Sequence, residues 1–221
     1  MFDNFPKNVK AAPSEKLLTP DNTVFLLIDH QPQMFFGVQN ADHQMVLNAA
    51  EGMAKTAKIW DIPTVLTTVA AETFSGPLVS QIQQVFPDKT PIDRTTVNAW
   101  EDERVVEAIK ASGRKKIVLA GLWTEVCALL PTLSALEQGY EVYVVTDASG
   151  GVSTEVHNMA ISRMRDAGAV MVTWMQVLLE LQRDWARQET YDAVMKVLKQ
   201  HAGAYGIGVF YVENFPAKAK E

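Results

Sequence analysis

One cysteine, Cys127, stands among 221 residues. A lone thiol cannot close an intrachain disulfide, so a disulfide-stapled fold is excluded and nothing requires an oxidising compartment. Long apolar runs are missing as well. None approaches the roughly 20 residues that cross a bilayer, and the opening stretch 1–7 has no basic region followed by an apolar one. A soluble, cytoplasmic chain with no membrane partner is expected. Positive charge is short, with a net charge of −6, and no basic cluster is interleaved with aromatics. Nothing therefore attracts a phosphate backbone, and nucleic acid is not expected as a partner. The sequence also lacks a Gly-rich phosphate loop, an internal repeat and a low-complexity tract.

What is present is apolar bulk. With 48% hydrophobic residues and no composition break to mark a linker, the chain reads as a single domain over 1–221. Short runs rich in Val, Ile and Leu alternate with longer amphipathic segments, the pattern of βα units around a mostly parallel sheet. Five strands are read at 24–29, 64–69, 116–120, 141–146 and 169–174, with room for a short sixth near 91–93. Helical periodicity covers 43–59, 101–112, 124–138 and 153–167, and Gly139 and Gly168 follow the last two as C-cap residues. Residues 1–20 and 202–221 fall outside the alternation. The tail 207–216, Ile-Gly-Val-Phe-Tyr-Val-Glu-Asn-Phe-Pro, is apolar enough to need cover from its own domain or from a neighbouring subunit.

In open parallel sheets the ligand crevice lies at the carboxyl ends of the strands, where strand order reverses. Asp29, Cys127 and Asp147 are the polar residues placed there. Cys127 sits where the apolar run 116–123 gives way to the helix-like 124–131, so its thiol meets unpaired backbone N–H groups and the positive end of the helix dipole. If the strand ending at Asp29 neighbours the one before Cys127, the carboxylate faces the thiol and can take its proton. Repulsion between the two raises the thiol pKa, so a cation is needed to offset it. Arg94, in Ile92-Asp-Arg-Thr-Thr-Val-Asn-Ala-Trp100, supplies one. Plainer readings stay open: Cys127 as a small buried hydrophobe, Asp29 and Asp147 as strand-end or capping aspartates, and Arg94 as a solvated partner of Asp93 or Glu101.

Four stretches then carry a resemblance. They are Leu27-Ile-Asp-His-Gln31, Arg94-Thr-Thr-Val-Asn-Ala-Trp100, Ala120-Gly-Leu-Trp-Thr-Glu-Val-Cys127 and Gly139-Tyr-Glu-Val-Tyr-Val-Val-Thr-Asp-Ala-Ser149. Taken in order over roughly residues 20–185, they resemble the isochorismatase-like cysteine hydrolases, and within these the YcaC-type branch. The most specific elements are Gly-x-x-Thr-Glu-Val-Cys and the late Asp-Ala-Ser-Gly. The resemblance implies a doubly wound three-layer α/β/α fold with a six-stranded, mostly parallel sheet, and an Asp, Lys, Cys triad. Asp29 and Cys127 match two of its members, and Arg94 replaces the lysine, as in the YcaC-type branch. Arginine does not readily exchange protons, which leaves Asp29 as the proton carrier. The family also implies a cis Leu122–Trp123 peptide that turns the Trp123 N–H inward, to form an oxyanion hole with the Cys127 N–H. Zinc-holding relatives use an aspartate and histidines. None of the histidines at 30, 43, 157 and 201 forms an Asp-x-His pair between the first and third clear strands, so no metal and no cofactor are expected.

Around these residues, strand alternation turns His30 away from Asp29, as a structural histidine, and places Gln31 on Asp29's side, where it can orient the carboxylate. Phe35, Phe36, Phe74 and Trp100 lie in connecting segments near the crevice, as core, interface or pocket wall. Where they wall it, the substrate is small and neutral or weakly polar. The resulting expectation is hydrolysis of a small amide, or an ester, through a thioester on Cys127. Two alternatives share the scaffold: a redox-sensing or small-molecule-binding protein with Cys127 as reactive thiol, and a vinyl-ether hydrolase of the isochorismatase type. Analogy with YcaC-type relatives adds a homo-oligomer, an octamer, with the helix and tail 186–221 in its contacts.

Overall fold

The computed structural model describes residues 12–215, so the opening stretch 1–7 and Pro216 of the apolar tail lie outside it. Six strands form one parallel sheet: β1 (Thr23–Ile28), β2 (Thr64–Val69), β3 (Ile92–Arg94), β4 (Lys116–Gly121), β5 (Glu141–Val145) and β6 (Val170–Val172). Their order is β3-β2-β1-β4-β5-β6. Every residue of β1 and β4, the two middle strands, is buried. That explains their unbroken apolar sequences, because a parallel strand covered on both faces has no polar side to show.

The pleat sorts these residues between two cores. Phe25 and Leu27 of β1, with Val118 and Ala120 of β4, pack against α2 (His43–Ile59), α7 (Trp174–Gln182) and α8 (Gln188–His201). Val24, Leu26 and Ile28, with Ile117 and Leu119, pack against α4 (Glu103–Ala111), α5 (Leu129–Glu137) and α6 (Thr154–Asp166). The three-layer α/β/α arrangement follows from that alternation. Helix α2 shows how the sequence encodes a layer. Val46, Ala49, Ala50, Met53, Ala54 and Ala57 recur at helical spacing and are buried, and the Asp42 side chain caps the start by accepting from the N–H groups of Gln44 and Met45 at 2.9 and 3.1 Å.

Boundaries differ from the sequence reading in three places, each with a local cause. Strand β1 ends at Ile28, not Asp29, because Asp29 adopts a left-handed backbone with φ of 58°. The segment expected as one helix over 124–138 is a single π-type turn, Thr124–Ala128, followed by α5. The strand expected over 169–174 shrinks to β6 because Thr173 caps α7, its side chain accepting from the Gln176 N–H. Asp147 also serves that corner, accepting from the Trp174 N–H at 3.0 Å. Its role is structural. Beyond α8, helix α9 (Ala204–Asn214) buries only Gly206, so the cover expected for the apolar tail is not supplied by the described residues; Ile207 is 71% exposed and Val212 68%.

Strand order reverses beside β1: the chain winds from β1 to β2 and β3 on one side, and the crossover from β3 returns to β4 on the other. The carboxyl ends of β1 and β4 therefore form the crevice that doubly wound sheets use. Replacing Leu119 by Ala, in a strand covered on both faces, is expected to cost about 2–5 kcal/mol. The same change at the partly exposed Val170 of edge strand β6 is expected to cost within about 1 kcal/mol, both read from urea unfolding.

Candidate active site

At this crevice three side chains that are 65 and 98 positions from the first converge. Asp29 follows β1, Arg94 ends β3 and Cys127 lies in the turn after β4. Asp29 is 0% exposed, Arg94 3% and Cys127 6%. The Arg94 side chain reaches across the end of β2, and its Nη2 donates to Asp29 Oδ2 at 2.6 Å. Its Nη1 donates to the carbonyls of Thr96 and Val97, which fixes the guanidinium plane. The second Asp29 oxygen accepts from the Thr67 hydroxyl at 3.2 Å, and the carboxylate also shares a hydrogen bond with the Cys127 thiol.

The electrostatics follow from burial. Desolvation raises the Asp29 pKa above its usual 3.8, against the lowering influence of Arg94, Cys127 and Thr67. Burial raises the Cys127 thiol pKa as well, reinforced by the Asp29 charge, while Arg94 and the Trp123 backbone pull the other way. The resting pair therefore keeps its proton on sulfur, beside a carboxylate made more basic than usual. Such a pair can pass that proton to oxygen when the sulfur attacks.

The turn that carries the thiol is tied from several sides. Leu122 N–H donates to Ile28 C=O at 3.1 Å and Thr124 N–H to Gly150 C=O at 2.8 Å. Gly121 N–H donates to Ser149 Oγ at 3.2 Å, while the Trp123 indole N–H donates to Met34 C=O at 2.8 Å. The Leu122–Trp123 peptide is cis. Helix α1 (Pro32–Phe36) supplies the Met34 carbonyl, and Gly37 just after it lies under the indole: a Cβ there would sit 2.3 Å from the ring.

The structure places the other named residues less uniformly. His30 is buried, donates from Nε2 to Ala148 C=O at 2.9 Å, and has its pKa pushed down to about 4 by desolvation, so it is a neutral structural group. Gln31 departs from the reading. Its amide bonds go to the backbone of Val69 and Gly76, which braces the exit of β2 and leaves the Asp29 carboxylate to Thr67. The cause is the left-handed Asp29 backbone, which breaks the period-two alternation on which that placement relied. Phe35 packs with Met34, Val38 and Leu122, and Trp100 lies in the same apolar cluster as Cys127. Phe36 and Phe74 are 69% and 66% exposed. Thr67 and Ser149 were missed; the hydroxyls of Thr67 and Thr68 at the carboxyl end of the run 64–69 were the available signal for the first. Among the described residues no three His, Cys, Asp or Glu side chains are arranged to hold a metal ion.

Comparison with known proteins places this arrangement. The Isochorismatase domain profile matches residues 23–176. The chain belongs to the isochorismatase family. Within the family it is 40% identical over 169 residues to the "Probable hydrolase YcaC" of Escherichia coli, covering 76% of this chain and 81% of that one. A YcaC structure from Pseudomonas aeruginosa, described with hexane-2,5-diol and covalent acrylamide, superposes with a TM-score of 0.86 at 35% identity, covering 91% of this chain and all of the other. The Escherichia coli YcaC structure, described as an octameric hydrolase of unknown specificity, has the same TM-score and identity over 91% of this chain and 98% of that one. The six-stranded doubly wound fold is thus the fold of these isochorismatase relatives.

Removing one partner of a buried ion pair leaves the other charge uncompensated. Arg94→Gln is expected to cost about 3–5 kcal/mol at neutral pH. The double variant Asp29→Asn with Arg94→Gln should recover a large part of that loss, measured by denaturant unfolding of all four proteins.

Proposed function

We propose that this chain is a cysteine hydrolase acting on a small amide, with an ester as the lesser substrate, through a thioester on Cys127. The observation that carries the reading is the carboxylate of Asp29, buried and bonded at once to the Cys127 thiol and to the Arg94 guanidinium. Membership of the isochorismatase family and likeness to a protein named a hydrolase support it. The covalent acrylamide in the structure of the Pseudomonas relative, an electrophile that nucleophiles add to at its vinyl carbon, supports a reactive nucleophile in that protein and leaves amide cleavage to the test below.

The steps balance in protons. Asp29 takes the thiol proton as sulfur adds to the substrate carbonyl. The resulting oxyanion is held by the backbone N–H groups of Trp123 and Cys127, each such donor being worth about 3 kcal/mol in a transition state. Collapse breaks the carbon–nitrogen bond as Asp29 passes its proton to the departing amine. A water then loses a proton to Asp29 and adds to the thioester, and the thiolate leaves, recovering that proton. The products are an amine, or ammonia, and a carboxylic acid. Arg94 stays charged throughout and offsets the negative charge that moves between oxygen and sulfur.

Family likeness extends the proposal to assembly. We place the chain as one isochorismatase-like domain in a homo-oligomer, octameric as described for the Escherichia coli YcaC structure, with the exposed apolar side chains of α9 covered by neighbouring copies. Among the described residues no helix is long and apolar enough to cross a membrane.

Two outcomes test the chemistry. A panel of small amides and esters is expected to give ammonia or acid release that Cys127→Ser abolishes, with an acyl mass on the wild-type protein that hydroxylamine removes. A thiol that acylates and never turns over would overturn hydrolysis and leave the reactive-thiol reading. On pH, Asp29 acts as base only when ionised, and its pKa is raised in the folded protein. Activity should therefore fall as pH drops through a value above the ordinary 3.8, seen as the acid limb of kcat/KM.

A further inference from the structure

The turn that carries Cys127 is held to α6 by a contact that the reaction above does not use. The Thr124 hydroxyl lies 2.9 Å from Nδ1 of His157, in the first turn of α6. Thr124 is fully buried, and among the described residues its hydroxyl has no other hydrogen-bond partner. A buried hydroxyl with one partner satisfies its proton only by donating it. That assigns Nδ1 as the acceptor and places the imidazole proton on Nε2.

The surroundings of the ring reinforce this state. Gly151 is wedged between the two elements: a Cβ there would stand 2.7 Å from Glu125 Oε2 and 3.1 Å from His157 Cβ. Glu125 faces the ring from the turn. Its Oε1 accepts from the Val152 N–H at 3.1 Å, and its Oε2 is buried with no hydrogen-bond partner. Of the other elements against α6, β6 carries no charge and α5 only Glu137 at its far end. Helix α6 itself carries Glu155 in its first turn and Arg163, Arg165 and Asp166 in its last. Burial and the positive end of the α6 dipole oppose a charged imidazole, while Glu125 favours one. The pKa lies below the usual 6.5, so the ring is neutral at neutral pH.

We propose that His157 is a positioning residue, which holds the Trp123–Cys127 turn in its reactive geometry through the bond accepted from Thr124 and holds it less firmly when the imidazole takes a proton. A protonated Nδ1 must donate, so the bond reverses: Thr124 Oγ1 becomes the acceptor and its own buried proton is left without one, which weakens the tie. The linkage has one sign. The engaged form has the lowered pKa, so it is favoured above the ordinary imidazole value and lost as pH falls. The inference rests on Cys127 being the nucleophile, as proposed above. It assigns the chain an acid sensitivity separate from that of Asp29.

The test uses iodoacetamide alkylation of Cys127 in the full chain, followed by intact mass from about pH 5 to 8, a range that spans imidazole titration. It needs no substrate. In His157→Asn the side-chain oxygen keeps an acceptor at the Nδ1 position but cannot titrate. That variant is expected to alkylate at the wild-type rate at pH 8 and to show an acid-side slope of log rate against pH shallower by one. Thr124→Val is expected to be about tenfold slower at pH 8, the order of one buried hydrogen bond, whereas Thr124→Ser should keep both the wild-type rate and slope. A wild-type slope in His157→Asn, or a wild-type rate in a folded Thr124→Val, overturns the proposal. Should Thr124→Val not fold, the slope of His157→Asn decides alone. Alkylation reports the placement of the thiol whether or not an acyl group is ever hydrolysed, so loss of the hydrolase reading and loss of this one give different results.

Discussion

A carboxylate and a guanidinium without solvent contact hold the carboxyl edge of this sheet together. Isolated, either charge would be costly to bury; paired at 2.6 Å, with Thr67 and two backbone carbonyls meeting further polar atoms and only Arg94 Nε left without a partner among the described residues, they tolerate the low dielectric. The pair spans three strands, since Arg94 leaves the edge strand β3, passes β2 and meets Asp29 at the end of β1. That span closes one side of the crevice. It also dictates what the thiol on the other side experiences, because Cys127 feels a carboxylate whose charge is largely countered and whose basicity is raised by burial.

The reach of Arg94 depends in turn on the backbone at Asp29. A left-handed aspartate is uncommon, and its cost is met here by hydrogen bonds on both sides: its N–H donates to Thr67 C=O, and its C=O accepts from Gln31 N–H. The bend takes the chain out of the sheet, so that the next two side chains go to separate duties. His30 locks to the loop after β5 and Gln31 to the loop after β2. The loops after β1, β2 and β5 are thus tied together, through the His30 and Gln31 side chains and the backbone groups they meet. A site assembled this way is pre-organised by the sheet, with Phe36 and Phe74 on its exposed rim.

The sheet was legible because parallel strands write themselves as apolar runs. Five were found within a few residues, and the sixth was expected at 91–93 and lies at 92–94. The meeting of Asp29 and Cys127 was legible only on the condition that their strands are neighbours, which β1 and β4 are, and Arg94 entered as the cation such a pair needs and as the match to the family's lysine. What periodicity could not give was the fate of residues after the bend. Gln31 was assigned to the Asp29 carboxylate by alternation, and alternation ends where φ becomes positive. Thr67 shows the converse: it sits in regular strand geometry, but one hydroxyl in a β-branched run reads as strand propensity. The His157 contact was beyond reach, because 33 positions separate it from Thr124 and no local pattern joins them.

The state of the thiol separates hydrolytic use of this scaffold from redox sensing. Sensor cysteines are accessible and rest as thiolates, because oxidants attack the anion. Cys127 has the opposite environment: burial and a neighbouring carboxylate raise its pKa, and only 6% of the residue meets solvent. Such a thiol is inert towards dissolved oxidants at rest. In the proposed reaction, a carbonyl whose oxygen is received by backbone N–H groups would favour transfer of the thiol proton to Asp29 by taking up the negative charge as it forms. Arginine in place of lysine suits the same logic. A lysine buried beside this pair could itself give up a proton and leave the charge unbalanced, whereas Arg94 cannot, so the single mobile proton of the site is confined to the path between sulfur, Asp29 and the substrate.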